Sequence, residues 1–169
     1  MANSAIDELV DGDGHLDRAA LRSILPYGDE FLFVDEVTSL SDESVEASFT
    51  IPADTAYIQA HFRGLPLMPG VLVGEGMAQA GTLVVRYNLE EHQDKDLLAF
   101  QIESARFSSP AQPGDRLDYS VRLLKLRRRL ARLEGEARIG DREVCKARIV
   151  LGIIERGSLR SELEALARP

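Results

Sequence analysis

The sequence has no tryptophan and a single cysteine, Cys145, and only 6% of its 169 residues are aromatic. One cysteine excludes an intramolecular disulfide and a cysteine-rich metal site, and it suits a reducing cytoplasm. Positive charge is also short: 20 Lys and Arg face 28 Asp and Glu, a formal net charge of -8. That sign argues against nucleic acid and anionic membrane as partners. No uncharged apolar run of about 18 residues occurs, and the start, MANSAIDELVDGDGHLD, carries early acids in place of a signal-peptide core. The expectation is a soluble, unexported, cytoplasmic protein. Its hydrophobic content of 44% is enough for one sizeable core, hence one domain.

Residues 1–20 form a polar, acidic lead-in, and the Asp/Gly cluster from Asp11 to Gly14 breaks any helix begun at Ile6 to Val10. Phe31 to Leu40 is short, apolar and rich in Phe and Val. Val45, Ala47, Phe49 and Ile51 then alternate with charged or hydroxyl residues, the period of a half-buried strand. Two antiparallel strands joined near Ser41 and Asp42 fit both stretches. After a loop with His61 and Pro66, the chain from Pro69 to about Tyr87 has few charges and apolar residues on every face, which predicts a helix buried on nearly all sides. Pro69 suits its first turn, where a missing N–H costs nothing.

Gly70, Gly74, Ala78 and Gly81 recur at helical spacing in that segment. Each interior glycine costs about 1 kcal/mol of helix propensity, so close approach of another backbone is expected there. From Leu97 the pattern is β again. Leu117 to Leu123, Leu133 to Ile139 and Cys145 to Ile153 alternate, with a turn at Gly140-Asp141, as in an antiparallel meander with one wet face. Ser158 to Ala167 carries Leu159, Leu163 and Leu166 at helical spacing behind a Ser that can cap it. The class is α+β, one long antiparallel sheet around a central helix. Its parts are the lead-in 1–20, a domain 21–155 and a surface helix within 156–169.

Three histidines are present. His15 lies in DGDGHLD, but a calcium loop counted from Asp11 puts Leu16 and Arg22 where Gly and an acid belong, so a solvated turn is the reading. His92, in EEHQDKD, reads as a solvent-facing linker residue. His61 precedes the buried helix in a loop with Phe62, Gly64 and Pro66, and alone it carries a plain structural reading. Glu75 changes the weighing, because it is the only charged residue between Arg63 and Arg86. A carboxyl on so apolar a helix must be paired, protonated or facing a cavity. Apolar surroundings favour the neutral acid form that a general acid needs. The alternative is a structural carboxylate satisfied by Gln79 or by a subunit partner. Gly70 stands at the helix start, where free N–H groups and the dipole stabilise negative charge on a carbonyl oxygen. Base, acid and oxyanion donor together suit proton removal beside a thioester carbonyl with loss of a β-hydroxyl.

The block AHFRGLPLMPGVLVGEGMAQAG resembles the signature of the β-hydroxyacyl-carrier-protein dehydratases of the FabZ type. LPYGDEFLFVDEV (Leu25 to Val37) and ARFSSPAQPGDRL (Ala105 to Leu117) agree with it in the same order, and the similarity spans roughly residues 21 to 155. The resemblance implies a hot-dog fold and a homodimer whose sheets join edge to edge, assembled further into a trimer of dimers. It implies a tunnel at the dimer interface with His from one subunit and Glu from the other.

Carried over by position, His61 takes the C2 proton, Glu75 protonates the departing 3-hydroxyl and the Gly70 N–H holds the thioester oxygen. Val71, Phe62 and Gln79 lie beside them as substrate-binding candidates. Glu in place of Asp implies dehydration without isomerisation. The implied substrate is an acyl-carrier-protein or CoA thioester of fatty-acid or related acyl or polyketide synthesis, and no cofactor or metal is implied.

Three stretches depart from the family. Its usual Gly-His-Phe-Pro-Gly is here Ala60 to Gly64 with Arg63, its His-Arg after Leu-Pro is here Tyr27-Gly28, and basic residues are replaced by Ser108-Ser109. Arg63, Arg106 and the cluster Lys125, Arg127, Arg128 and Arg129 are the candidates to restore a positive rim for an acidic carrier, the plain reading of the cluster being a solvated hairpin turn. The rival readings are a hot-dog thioesterase that uses Glu75 to activate water, and a non-catalytic acyl-binding or assembly subunit.

Overall fold

The computed structural model describes residue 6 and residues 14–166, without the side chains of residues 162, 163 and 166. Six antiparallel strands form one sheet: β1 (Glu36–Leu40), β2 (Ser44–Thr50), β3 (Lys95–Phe107), β4 (Arg116–Arg127), β5 (Leu130–Ile139) and β6 (Arg142–Glu155), in the order β1-β2-β4-β5-β6-β3. The β1–β2 turn closes where Ser41 Oγ accepts from the Ser44 N–H at 3.1 Å. The β5–β6 turn uses Gly140 at φ +55°, a left-handed backbone that glycine adopts without a Cβ penalty. The alternating runs read from the sequence become β4, β5 and β6. Leu117, Tyr119, Val121, Leu133, Ala137, Cys145, Ala147 and Ile149 all point into the core.

Four helices complete the described chain: α1 (Arg18–Ile24), α2 (Ala56–Ala60), α3 (Gly70–Tyr87) and α4 (Ser158–Leu166). The sheet wraps α3, which touches every strand. This is the hot-dog arrangement. Pro69 stands just outside α3 at its cap rather than in the first turn. The glycines of α3 are explained by side chains more than by backbone. A Cβ on Gly76 would fall 2.3 Å from Tyr119 Oη and 3.2 Å from the Phe33 carbonyl, and one on Gly81 would fall 2.4 Å from Leu133 Cδ1. Gly74 meets nothing within 4 Å. From Gly76 to Arg86 the helix is buried throughout, while Val71 is 69% exposed and Glu75 half-buried, so the first two turns keep one uncovered face.

The expected strand from Phe31 begins only at Glu36. Gln79 on α3 takes the backbone that a strand would have paired: its Oε1 accepts from the Phe33 N–H and its Nε2 donates to the Phe31 carbonyl, both at 2.9 Å. Phe31 therefore sits in a single 3-10 turn, Asp29–Phe31. The loop before α3 contains the unpredicted α2, which His61 caps.

In the lead-in, Leu16 exchanges backbone hydrogen bonds with Val37 at 2.9 and 3.0 Å and is buried, as is Ile6. Asp17 caps α1 by accepting from the Ala20 N–H at 2.8 Å. The rest of the expected helix break, residues 7–13, lies outside the described residues, as do the side chains of Leu163 and Leu166.

His92 is a correction, since it is only 6% exposed. Arg86 Nη1 donates to the His92 carbonyl at 2.6 Å and draws the 92–94 turn against the end of α3. Burial, followed by the neighbouring Arg86 and Arg156 charges, holds its imidazole below the usual histidine range.

Candidate active site

Local backbone geometry sets His61. The chain doubles back between Phe62 and Leu65, whose backbones exchange hydrogen bonds at 2.8 and 2.9 Å, and Gly64 at φ +77° makes that turn possible. The Leu67 N–H then donates to the His61 carbonyl at 2.7 Å, and the Met68 N–H donates to Ala111 at 2.9 Å, tying the loop to the segment after β3. His61 Nδ1 lies 3.3 Å from the Leu67 carbonyl. A carbonyl only accepts, so this contact puts the ring proton on Nδ1 and leaves Nε2 as a free base. The Phe62 ring stacks on the imidazole with centroids 4.1 Å apart and is itself 58% exposed.

His61 and Gly70 line the same cavity, of about 280 Å³, with Met68, Val73, Phe107 and Ser109 among its walls. Glycine is required at position 70 on steric grounds, because a Cβ would stand 2.8 Å from the Phe107 ring. The N–H groups of Gly70 and Val71 belong to the first turn of an 18-residue helix and have no carbonyl within it to bond. They provide donors and the positive end of the dipole beside the imidazole. The chemistry available here is proton abstraction next to a stabilised oxyanion, in walls that are mostly apolar.

Glu75 is not among the residues lining that cavity. Its Oε1 accepts from Gln79 Nε2 at 3.0 Å. Gln79 is fully buried and spends its amide on Phe31, Phe33 and Glu75. The structure thus brings His61 and Gly70 to one cavity, leaves Phe62 and Val71 exposed outside its lining, and pairs Glu75 with Gln79 farther along α3. Phe107, which lines the cavity, was not singled out from the sequence; its signal was the Phe before Ser108, inside a stretch quoted for another reason.

No group of three or more His, Cys, Asp or Glu among the described residues is placed to hold a metal ion. The described residues contain no helix long and apolar enough to cross a membrane.

A family model described as a FabA-like domain matches residues 25–148. The 3-hydroxyacyl-[acyl-carrier-protein] dehydratase FabZ of Wolinella succinogenes is 38% identical over 135 residues, covering 76% of this chain and 89% of its own length. The chain belongs to the FabZ-type dehydratase family. Another family member, the FabZ of Nitratidesulfovibrio vulgaris strain DP4, is 36% identical over 143 residues, 83% of this chain and 93% of its own. Solved structures share the family's fold at lower identity. A chain of the dehydratase heterocomplex ApeI:P of Xenorhabdus doucetiae superimposes with a TM-score of 0.70 at 19% identity, covering 85% of this chain and 96% of that one. A mutant of the fluoroacetyl-CoA thioesterase FlK reaches 0.64 at 14% identity, covering 75% and 97%.

Proposed function

We propose that the chain dehydrates a 3-hydroxyacyl thioester to the trans-2-enoyl thioester and water, with His61 as base and Glu75 as acid. The observation that carries the reading is His61 Nε2 left free beside the α3 N-terminus, in a chain whose relatives are named as 3-hydroxyacyl-[acyl-carrier-protein] dehydratases. His61 takes the proton from C2 while the Gly70 N–H bonds the thioester oxygen. The C2 electron pair forms the C2–C3 double bond as the C3–O bond breaks, and Glu75 gives its proton to the leaving oxygen, releasing water. The imidazolium and carboxylate that remain are reset by returning one proton from His61 to Glu75.

Because Glu75 does not line the His61 cavity of its own chain, we place the working site between two copies, each supplying one member of the pair. Two features support this. β3 ends the sheet as an edge strand of 13 residues, and it exposes Phe100, Ile102 and Phe107 by 50 to 69%. Phe62, Leu65 and Val71, exposed by 58 to 69%, add further uncovered apolar side chains in the loop before α3 and in its first turn. A row of unpaired backbone groups beside large apolar side chains is what a second sheet edge covers. The assembly is a homodimer, with a trimer of dimers above it, acting on an acyl-carrier-protein thioester in the cytoplasm, where the buried Cys145 thiol stays reduced.

The test is incubation with short and long 3-hydroxyacyl thioesters on both the carrier protein and CoA. Enoyl thioester is the expected product. Release of free acid instead would make the chain a thioesterase, and turnover of neither would leave an acyl-binding subunit.

A further inference from the structure

Four glycines stand in α3, and three of them pack against a side chain of the sheet: Gly70 against Phe107, Gly76 against Tyr119 and Gly81 against Leu133. Gly74 is the exception. Among the described residues a Cβ there would meet nothing within 4 Å beyond its chain neighbours and the helix backbone. An interior glycine weakens a helix wherever it stands, so at position 74 the compensation lies outside the contacts that the described chain makes with itself. The surroundings of Gly74 are those of the acid. Gly74 and Glu75 follow Val71 by three and four residues, which sets the three side by side on one helix face. Val71 is exposed, Gly74 and Glu75 are half-buried, and the strip closes at Ala78 and Gln79, both buried. Gln79 Nε2 holds Glu75 Oε1 from that closed end at 3.0 Å, and the uncovered side lies toward Val71 and Gly74.

Resting on the reaction proposed above, we infer that Gly74 is a specificity-determining residue: its missing side chain keeps room beside the acid for a substituent on C4 of the acyl group. In that reaction the thioester oxygen is held at Gly70, C2 meets His61 and the C3 oxygen meets Glu75. The next carbon of the substrate is C4, and the helix surface next to the carboxyl is Gly74. A methyl group at position 74 would take the space that a branch at C4 requires, whereas an unbranched acyl chain has only hydrogens to place there. The substrate class is therefore 3-hydroxyacyl thioesters branched at C4, accepted beside straight-chain ones.

Two measurements on the full-length chain decide this. In the first, straight-chain and 4-methyl-branched 3-hydroxyacyl thioesters are compared as substrates of the wild type, Gly74→Ala and Gly74→Leu. The wild type is expected to use both with kcat/KM within about threefold. Gly74→Ala should lose about tenfold or more on the branched substrate alone, the scale of one methyl group in an apolar pocket, with a melting temperature that does not fall; Gly74→Leu should lose on both. Unaltered selectivity in the two variants would overturn the inference. So would a lowered melting temperature together with dissociation of the assembly in sedimentation, which would make a second copy the occupant of that space. The second measurement needs no turnover: calorimetric binding of the saturated straight-chain and 4-methyl acyl thioesters, which have no hydroxyl to lose. Gly74→Leu is expected to raise Kd at least about tenfold for the branched one. An equal Kd in wild type and variant, or no binding by the wild type, sinks the inference. If wild type binds these thioesters but forms no enoyl product, the reaction assignment fails, while the binding comparison still decides whether the acyl group lies over Gly74.

Discussion

At the residue scale, the proposed base and acid are expected to carry separate, measurable loads. His61→Ala and Glu75→Gln are each expected to lower dehydration at least about a hundredfold, the usual scale for positioned acid–base groups. A near-normal rate in either variant, read by enoyl formation, removes that residue from the mechanism. These two residues stand out in the sequence because an isolated carboxyl in an apolar helix and a loop histidine before it are chemically conspicuous. What held Glu75 was less so. Gln79 was visible at i+4, whereas the Phe31 and Phe33 backbone that fixes its amide lies far away in sequence.

His92 was misread for a related reason. Its neighbours in sequence are polar, but Arg86 pulls its carbonyl inward, and neither ring nitrogen finds a hydrogen-bond partner among the described residues. A histidine kept neutral in the fold leaves the unfolded chain to bind the extra proton once pH drops below about 6.5. Stability therefore falls as pH falls through that point toward the depressed folded value, and above it the residue contributes no slope. His92→Leu should flatten the dependence of melting temperature on pH between about 7 and 5. An identical slope in both proteins would count against His92 as its source.

At the scale of elements, the two glycines flanking Glu75 behave oppositely. Gly76→Ala drives a methyl group into the fully buried Tyr119 and should cost about 1 to 3 kcal/mol as overpacking. Gly74→Ala meets nothing in its own chain and should gain up to about 1 kcal/mol of helix propensity. Thermal melts of the two variants rank the explanations directly, and equal effects would contradict them. The sequence marked this helix by its small residues, and the strands of the meander by their alternation. It could not show which glycine meets which side chain, because those contacts cross from helix to sheet. Nor could it show the late start of β1, since Phe31-Leu32-Phe33 has every local quality of a strand until a buried amide competes for its backbone.

At the scale of the whole molecule, the order of strands leaves β3 on an edge, and the proposed base stands in the loop before α3 while the proposed acid lies on α3, outside the base's cavity. Mixing inactive His61→Ala with inactive Glu75→Gln should restore activity through hybrid dimers, up to about a quarter of wild type if subunits exchange at random and each hybrid holds one intact site. No recovery after verified exchange would argue for a site within one chain. The fold itself followed from helix and sheet patterning. Which apolar side chains stay uncovered did not, since exposed Phe100 and Ile102 look in sequence like any other strand interior.

One outcome of the uncovered β3 margin concerns throughput. When each reaction centre needs two polypeptides abreast, rate per milligram ceases to be a constant of the material: it sags on extreme dilution and recovers on reconcentration. Doubling the amount synthesised at such scarcity then more than doubles the flux.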